Sequence, residues 1–341
     1  MLKWYQKQAS ENEIVLSSRV RLARNVADIP FNSCMTNEQR QQLNQKVTQA
    51  LHNIHLGENK LHFVSLDSLN EMKRCAMVEK HIVSREFIRY PENRMLIISE
   101  DESIAIMVNE EDHLRIQVMA NGLNLSEAYQ ICNMIDDVLD ETLRYAFDET
   151  LGYLTSCPTN LGTGLRASVM MHLPALEHFG LISRLTSNIS KLGMTIRGTY
   201  GEGSNVIGSL YQISNQITLG ITEQDAIQNL ESVTKQIIDA EVNARENLSK
   251  EKHRLEDMIF RSLGTLKYAR MMSSKDFFET VSNLRLGIAM GYVDEISLIT
   301  LNELMDLTGT ATVCEQAGKE LPPIERDYLR AKTIREKLAV E

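Results

Sequence analysis

A chain of 341 residues, 43% hydrophobic and 24% charged, has the size of two ordinary domains and the composition of a soluble globular protein. Its net charge of -10 argues against a general nucleic-acid or anionic-membrane binder, because such binding draws on basic surface, though a local basic pocket remains open. No run reaches the roughly 18 apolar residues of a membrane span, the first residues lack a secretory pattern, and the five scattered cysteines (Cys34, Cys75, Cys132, Cys157, Cys314) include no Cys-x-x-Cys, so a cytoplasmic protein without a disulfide framework or zinc site is expected.

Residues 14–22 alternate, with Val20 and Leu22 on one side and Arg19 and Arg21 on the other, which predicts a strand. Helices are predicted over Thr36 to Ile54 and Asp67 to Lys80. Three antiparallel strands follow with short turns, Arg94 to Ser99, Ser103 to Asn109 and Leu114 to Met119. The last turn is acidic, Asn109-Glu110-Glu111-Asp112-His113, and Arg115 projects from the face opposite Leu114, Ile116 and Val118. Ser126 is a candidate cap for a long amphipathic helix reaching about Phe147, with Ile131, Ile135, Val138 and Leu139 as core.

Residues 154–168 leave regular structure for a Gly-rich loop that holds Cys157. Gly162-x-Gly164-x-x-Ala167 has the spacing of a dinucleotide fingerprint, yet Ala167 to Leu173 alternate like a strand where the fingerprint requires a helix. A helix is predicted from Pro174 to Leu192, then a second Gly-rich loop from Arg197 to Ser204, a strand over Val206 to Ile213, and a helix opened by Thr222 with Asp225 that runs past Ala240. The charged stretch Glu241 to Lys252 reads as an exposed helical boundary, and the remainder is helical, with starts at Ser274 and Thr300. The fold class is therefore α+β: an antiparallel sheet flanked by helices in residues 1–245, followed by a separate all-helical C-terminal domain in residues 246–341.

Arg19, Arg21, Arg115, Arg166 and Arg197 stand on polar-facing strand positions or beside the Gly-rich loops. Guanidinium forks bind phosphate oxygens in pairs, and Gly-rich backbone lets a phosphate chain approach the main chain. Such a set suits a nucleoside triphosphate and phosphoryl transfer, in which catalysis is largely positioning and charge stabilisation. No Walker sequence and no His-Arg-Asp catalytic loop is present. Carboxylates beside this basic site, Glu111 and Glu202, suit a planar guanidinium acceptor, which has no free lone pair until a base removes a proton. Cys157 in its electropositive loop is a candidate thiolate near that acceptor.

The segments 16–21 (Leu-Ser-Ser-Arg-Val-Arg), 109–115 (Asn-Glu-Glu-Asp-His-Leu-Arg), 157–164 (Cys-Pro-Thr-Asn-Leu-Gly-Thr-Gly) and 197–202 (Arg-Gly-Thr-Tyr-Gly-Glu) resemble, in order, the motifs of the phosphagen kinases, the ATP:guanidino phosphotransferases. The resemblance covers about Ile14 to Ala244. It implies ATP with Mg²⁺, and nucleotide contacts from Ser17, Ser18, Arg19, Val20, Arg21, His81, Arg115, Arg166, Ala167, Ser168, Val169, Met170, Arg197, Gly198, Thr199, Tyr200, Gly201 and Glu202. It also implies Glu111 as catalytic carboxylate, Glu202 as its partner at the guanidinium, and Cys157 as an orienting thiolate that is not attacked covalently. Mg²⁺ is expected on phosphate oxygens and water, with no protein cage.

Two departures narrow the acceptor. Only thirteen residues precede Ile14, where small-molecule phosphagen kinases carry a helical domain that shapes the guanidino pocket. The C-terminal Arg326-Asp327-Tyr328-Leu329-Arg330-Ala331 resembles the Arg-Asp-x-x-Arg-Ala motif of bacterial protein-arginine kinases of the McsB type. The resemblance implies arginine in proteins as acceptor, a phosphoarginine-binding allosteric role for Arg326, Asp327 and Arg330, and a homodimer. Its implied partners are a zinc-binding activator, a heat-shock repressor and a Clp-type protease that takes marked substrates, with no direct nucleic-acid or membrane contact. Kinase action on a free guanidine, a non-catalytic phosphoarginine adaptor and, on the glycine spacing alone, a nicotinamide-dependent oxidoreductase are the competing readings. Glu110, Asp112 and His113 receive no individual role.

Overall fold

The computed structural model describes residues 1–7, 13–52, 54, 56–57, 59–198 and 206–338. In chain order the regular elements are β1 (Val15–Arg24), α1 (Asn37–Leu51), β2 (Leu61–Ser65), α2 (Glu71–Glu79), α3 (Arg85–Arg89), β3 (Met95–Ser99), β4 (Ile104–Val108), β5 (Leu114–Asn121) and α4 (Leu125–Leu143). A small hairpin, β6 (Phe147–Asp148) and β7 (Gly152–Tyr153), leads to β8 (Leu165–His172), α5 (Pro174–His178), α6 (Ile182–Ser190), β9 (Met194–Gly198) and β10 (Leu210–Asn215). Helices complete the chain: α7 (Glu223–Leu248), α8 (Lys252–Tyr268), α9 (Ser274–Ala289), α10 (Leu298–Leu307), α11 (Thr310–Ala317) and α12 (Pro323–Leu338).

Eight strands form one antiparallel sheet in the order β2-β3-β4-β5-β1-β8-β10-β9, as the α+β reading required. One face is largely apolar because alternate residues of the central strands, such as Val20, Leu22, Ile116, Val118, Ala167 and Val169, are aliphatic, and all of these are buried. The buried stripe of α4 (Ala128, Cys132, Ile135, Leu139) and that of α7 belong to the same core. On the other face, residues of α3 and the preceding turn (Ile82, Val83, Phe87) cover Ala105 and Met107 in a second cluster. The same turn reaches β5 only at buried Gln117, whose amide donates to the carbonyls of His81 and Ile82, and beyond it the face carries the arginines of β5, β1 and β8.

Several boundaries depart from the sequence reading for local reasons. Ser126 does not cap α4; its N–H and hydroxyl both donate to Glu231, while the N–H of Asn124 donates to buried Ser18. The helix ends at Leu143, since Arg144 adopts φ 54° and Phe147 pairs with Tyr153 in the small hairpin. The helix expected over 174–192 is two helices, broken at Gly180, whose φ of 67° interrupts the helical path. Thr222 does cap α7, accepting from the N–H of Asp225. Ser273 caps the helix expected near Ser274, and Ser297, which accepts from the N–H of Thr300, caps the next.

The charged stretch after Glu241 is not an exposed boundary at its start. Glu241 is fully buried, receives the N–H groups of Ala175 and Leu176 at 3.1 and 3.0 Å, and pairs with buried Arg245 at 2.9 Å. Helix α7 runs through residue 245 to Leu248, and one continuous apolar core links Leu230 of α7 with Leu304 of α10.

Candidate functional site

Register decides which side chains meet. Arg19 and Arg21 of β1 lie opposite Met119 and Gln117 of β5 and opposite Ser168 and Arg166 of β8; Arg115 lies opposite Ala23. Cross-strand partners share a face, so Arg19, Arg21, Arg115 and Arg166 stand together on the polar face, joined by Ser17 and Met170. Gln212 of β10 pairs with both Met170 and Arg197, which puts Arg197 on that face as well. The same alternation turns Ser18, Val20, Ala167 and Val169 to the opposite, fully buried face, so their side chains do not line the site and only their backbone could meet a ligand there.

The arginines are under mutual strain. Burial, then Arg19, Arg115 and Arg166, hold the Arg21 guanidinium well below its ordinary range, and burial with Arg115 brings Arg19 down to about 10. Arg21 Nε is buried without a hydrogen-bond partner. Arg19 Nε reaches Ser168 Oγ at 3.4 Å, and Arg166 donates to the Asn215 carbonyl and to Asn160 Oδ1, both at 3.3 Å. Such a face has the charge and the donors to receive a polyanion.

At one end of the arginine face lies a pocket of about 560 Å³ including its mouth, lined by Arg21, Glu111, Arg115, Cys157, Asn160 and Arg166, among others. The acidic turn between β4 and β5 divides its labour. Glu110 is buried, receives the Ser84 hydroxyl and pairs with Arg115 at 2.7 Å. Glu111 points outward, 44% exposed, with one oxygen 3.2 Å from Arg115 Nη2. Burial raises the Glu111 carboxyl above its usual range; Arg115 opposes the shift, and Asp112 and Glu110 add to it.

Asp112 joins this turn to the cysteine loop. Its Oδ1 receives Asn25 Nδ2 and the Ser156 N–H, each at 2.7 Å. His113 accepts the Val26 N–H on Nδ1 at 2.9 Å, so the Nε2 that lies 2.8 Å from the Pro30 carbonyl is the protonated nitrogen of a neutral ring. Half-buried Cys157 follows Ser156, and its Sγ lies 3.1 Å from Thr159 Oγ1. The far side of the loop is fixed by buried Arg24, which pairs with Asp136 at 2.7 Å, donates to the Thr163 carbonyl at 2.8 Å and lies over the Tyr153 ring at 3.5 Å. Gly164 is required here: a Cβ would meet the Ala23 carbonyl at 2.6 Å and Arg24 at 2.7 Å, and its φ is 63°.

The other end of the face opens into a second pocket, of about 830 Å³ including its mouth, lined by Ser17, His81, Met119 and Met170 from the sheet side and by residues of α9 and α10. Burial and the nearby Arg19 bring the His81 imidazole down to about 4, so it is neutral near pH 7. The two pockets thus flank the arginines, with Ser17 and Arg21 marking their places on β1.

Thr199, Tyr200, Gly201 and Glu202 lie outside the described residues; Gly198 ends β9. In α12 the three motif residues differ in exposure. Arg330 is fully buried, donating to the carbonyls of Thr308 and Met272 at 2.8 Å each and to Asp327 at 2.7 Å, whereas Arg326 and Asp327 are partly exposed. Among the described residues no group of three His, Cys, Asp or Glu side chains could hold a metal ion, and no helix is long and apolar enough to cross a membrane. Sequence reasoning missed Asn25, Arg24 with Asp136, and the α9–α10 wall. Arg24 and Asn25 continue the β1 motif and could have been suspected; the wall depends on contacts more than a hundred residues apart.

Residues 42–244 match the family described as ATP:guanido phosphotransferase, C-terminal catalytic domain, and residues 252–341 match the protein-arginine kinase McsB C-terminal domain. The chain is 46% identical over 340 residues to a protein-arginine kinase of Geobacillus sp. (strain WCH70), covering 99% of this chain and 94% of that one. It is 45% identical over 339 residues to a protein-arginine kinase of Pelotomaculum thermopropionicum, covering 98% and 95%. Among solved structures, the duplicated taurocyamine kinase of Schistosoma mansoni with bound transition state analog components aligns at TM-score 0.61 and 32% identity, over 69% of this chain and 34% of that one. A lombricine kinase aligns at TM-score 0.60 and 25% identity, over 70% and 68%.

Proposed function

The chain belongs to the ATP:guanido phosphotransferase family and matches its protein-arginine kinases over nearly its whole length, and from that premise we propose that it transfers the γ-phosphoryl group of ATP to arginine side chains of proteins. The observation that carries the reading is the placement of the arginine face between an apolar pocket and a pocket holding Glu111 and Cys157. From Ser17 to Arg21 the strand advances about 13 Å at roughly 3.3 Å per residue, which suits a nucleoside whose triphosphate extends along β1.

In this mechanism Arg19, Arg21, Arg115, Arg166 and Arg197 bind the phosphates and hold the γ-phosphorus toward the acceptor pocket. Mg²⁺ accompanies the nucleotide and offsets phosphate charge. Glu111 accepts the proton that the guanidinium loses as its nitrogen forms a bond to phosphorus and the bond to the ADP oxygen breaks. Arg115, 3.2 Å from Glu111, keeps the carboxylate in place. Cys157 orients the guanidinium, and Glu202 is its second carboxylate partner. The test is incubation with ATP and an arginine-containing protein, followed by mapping of acid-labile phosphate; labelling of free arginine alone overturns protein arginine as acceptor.

We further propose that the modification marks proteins for Clp-type proteolysis and controls a heat-shock repressor, with a zinc-binding protein as activator and the cytoplasm as the site of action. A homodimer through the C-terminal helical region, where Phe260 and Tyr268 of α8 and Met271 just after it are exposed, belongs to the same proposal. So does the division at residue 245. Phosphoarginine recognition by α12 is proposed to use Arg326 for the phosphate and Asp327 for the guanidinium. Buried Arg330 then serves as the strut that holds Asp327.

A further inference from the structure

We infer that the base half of the nucleotide site is completed by the C-terminal helical region, with Phe278, Asn302 and Met305 as residues that determine affinity for the base. This rests on the nucleotide reading given above and adds an origin for the pocket's outer wall. The inner wall is the end of the arginine face, where Met119 and Met170 replace arginine at the positions paired with Arg19 and Ser17. Opposite them stand Phe278 of α9 and Asn302 and Met305 of α10, more than a hundred residues further along the chain.

The chemistry of the lining selects a flat, neutral, polarisable ring. Three methionines and a phenylalanine supply soft apolar contacts at little cost in fixed geometry. The charged groups at the rim compensate one another: Lys80 pairs with Asp306 at 2.9 Å, and Asp306 also receives the Tyr5 hydroxyl at 3.2 Å. A further phosphate finds no unpaired cation there among these residues. Asn302 provides an amide at the wall, its oxygen already accepting from Arg285 Nη1 at 2.9 Å, so that its NH₂ group is the side left to meet a ring nitrogen.

The wall is fastened to the sheet side and does not merely lean on it. Glu79, the last residue of α2, receives the N–H groups of Ala311 and Thr312 at 2.9 Å, capping α11 from another part of the fold. Gly309 permits this approach, because a Cβ there would collide with the Glu79 carboxylate. Lys80 and His81 follow Glu79 directly, so the same turn that holds the helical region also lines the pocket.

The experiment measures binding of MgATP and of magnesium tripolyphosphate to the full chain by calorimetry, since tripolyphosphate engages the arginines without a base. The parent is expected to bind ATP at least about tenfold more tightly than tripolyphosphate. Met305→Trp, which fills the pocket, should remove about tenfold of ATP affinity with tripolyphosphate unchanged, and Phe278→Ala and Met305→Ala should each weaken ATP several-fold with the same selectivity. If the parent shows no preference for ATP, the nucleotide reading itself fails. If the preference is present and survives all three variants, or if ATP and tripolyphosphate weaken in parallel in all three, the helical wall is overturned while the nucleotide reading stands.

Discussion

Arg21 of β1 and Arg166 of β8 stand directly opposite each other in adjacent strands, two cations in a position where like charge is unfavourable. Arg21 bears the cost most, since burial and three neighbouring arginines all act against its charge. An anion bound between them, as the proposed function requires, relieves that cost. Arg166→Gln is expected to leave the thermal midpoint of the ligand-free protein unchanged or higher, to weaken MgATP by about tenfold to hundredfold, and to shrink the ATP-induced rise in midpoint. Thermal melts with and without ATP check all three; a large fall in the ligand-free midpoint contradicts the account.

Glu111 gives a kinetic prediction. Glu111→Gln should lower the transfer rate by about 10²–10⁴-fold with ATP affinity nearly kept, because the amide cannot take the proton. Only the carboxylate acts as base, so the rate of the parent falls as pH drops through the Glu111 pKa. Burial raises that pKa, which sets the acidic limb above the range of an ordinary carboxyl. The limb should vanish from the residual activity of the Gln variant in a single-turnover pH profile.

The Arg24–Asp136 pair supports the cysteine loop from within the core, both side chains being at most 5% exposed. Asp136→Ala leaves a buried guanidinium without its partner and is expected to cost about 3–5 kcal/mol. Arg24→Met combined with Asp136→Leu should recover most of that stability in urea unfolding. It should not recover activity, because the bond to the Thr163 carbonyl and the stack on Tyr153 are lost.

Acid should destabilise the fold through its buried imidazoles. The folded-state pKa of His81 lies at about 4 against an ordinary 6.5, and those of His113 and His172 are also depressed, in each case chiefly by burial. Between the two values the unfolded chain binds more protons, so stability is present in full above about 6.5 and declines as pH falls toward about 4. His81→Asn, suited to the φ of 58° at this position, should flatten part of the decline between pH 6.5 and 5. Equal slopes in parent and variant count against His81 as a contributor.

How far the sequence carried depends on the range of the interactions. Period two put Arg19 and Arg21 on the polar side of one strand and Arg115 on that of another before any contact was known, and the β1–β5 and β1–β8 registers then brought them together with Arg166. That rule also shows why Ser18, Val20, Ala167 and Val169, taken from a motif as contiguous blocks, could not all face a ligand. Helix ends read less well: Ser126 looked like a cap but bonds to Glu231, a partner supplied by tertiary packing. The roles of Glu110, Asp112 and His113 were illegible because their partners, Ser84, Ser156, Asn25 and Val26, come from distant turns.

Because Ser17, Arg19 and Arg21 succeed one another at fixed intervals along β1, the proposed nucleotide site makes the strand a ruler. A molecule seated by its base and carrying three phosphates reaches the arginines around Glu111; one carrying two falls short of that end. On that reading, substrate and product are told apart by length. On the proposed reading, loss of the terminal phosphate returns Arg21 to a place opposite Arg166 where burial and its arginine neighbours act against its charge, and a site that is uncomfortable when half filled favours exchange of the spent nucleotide for a fresh one.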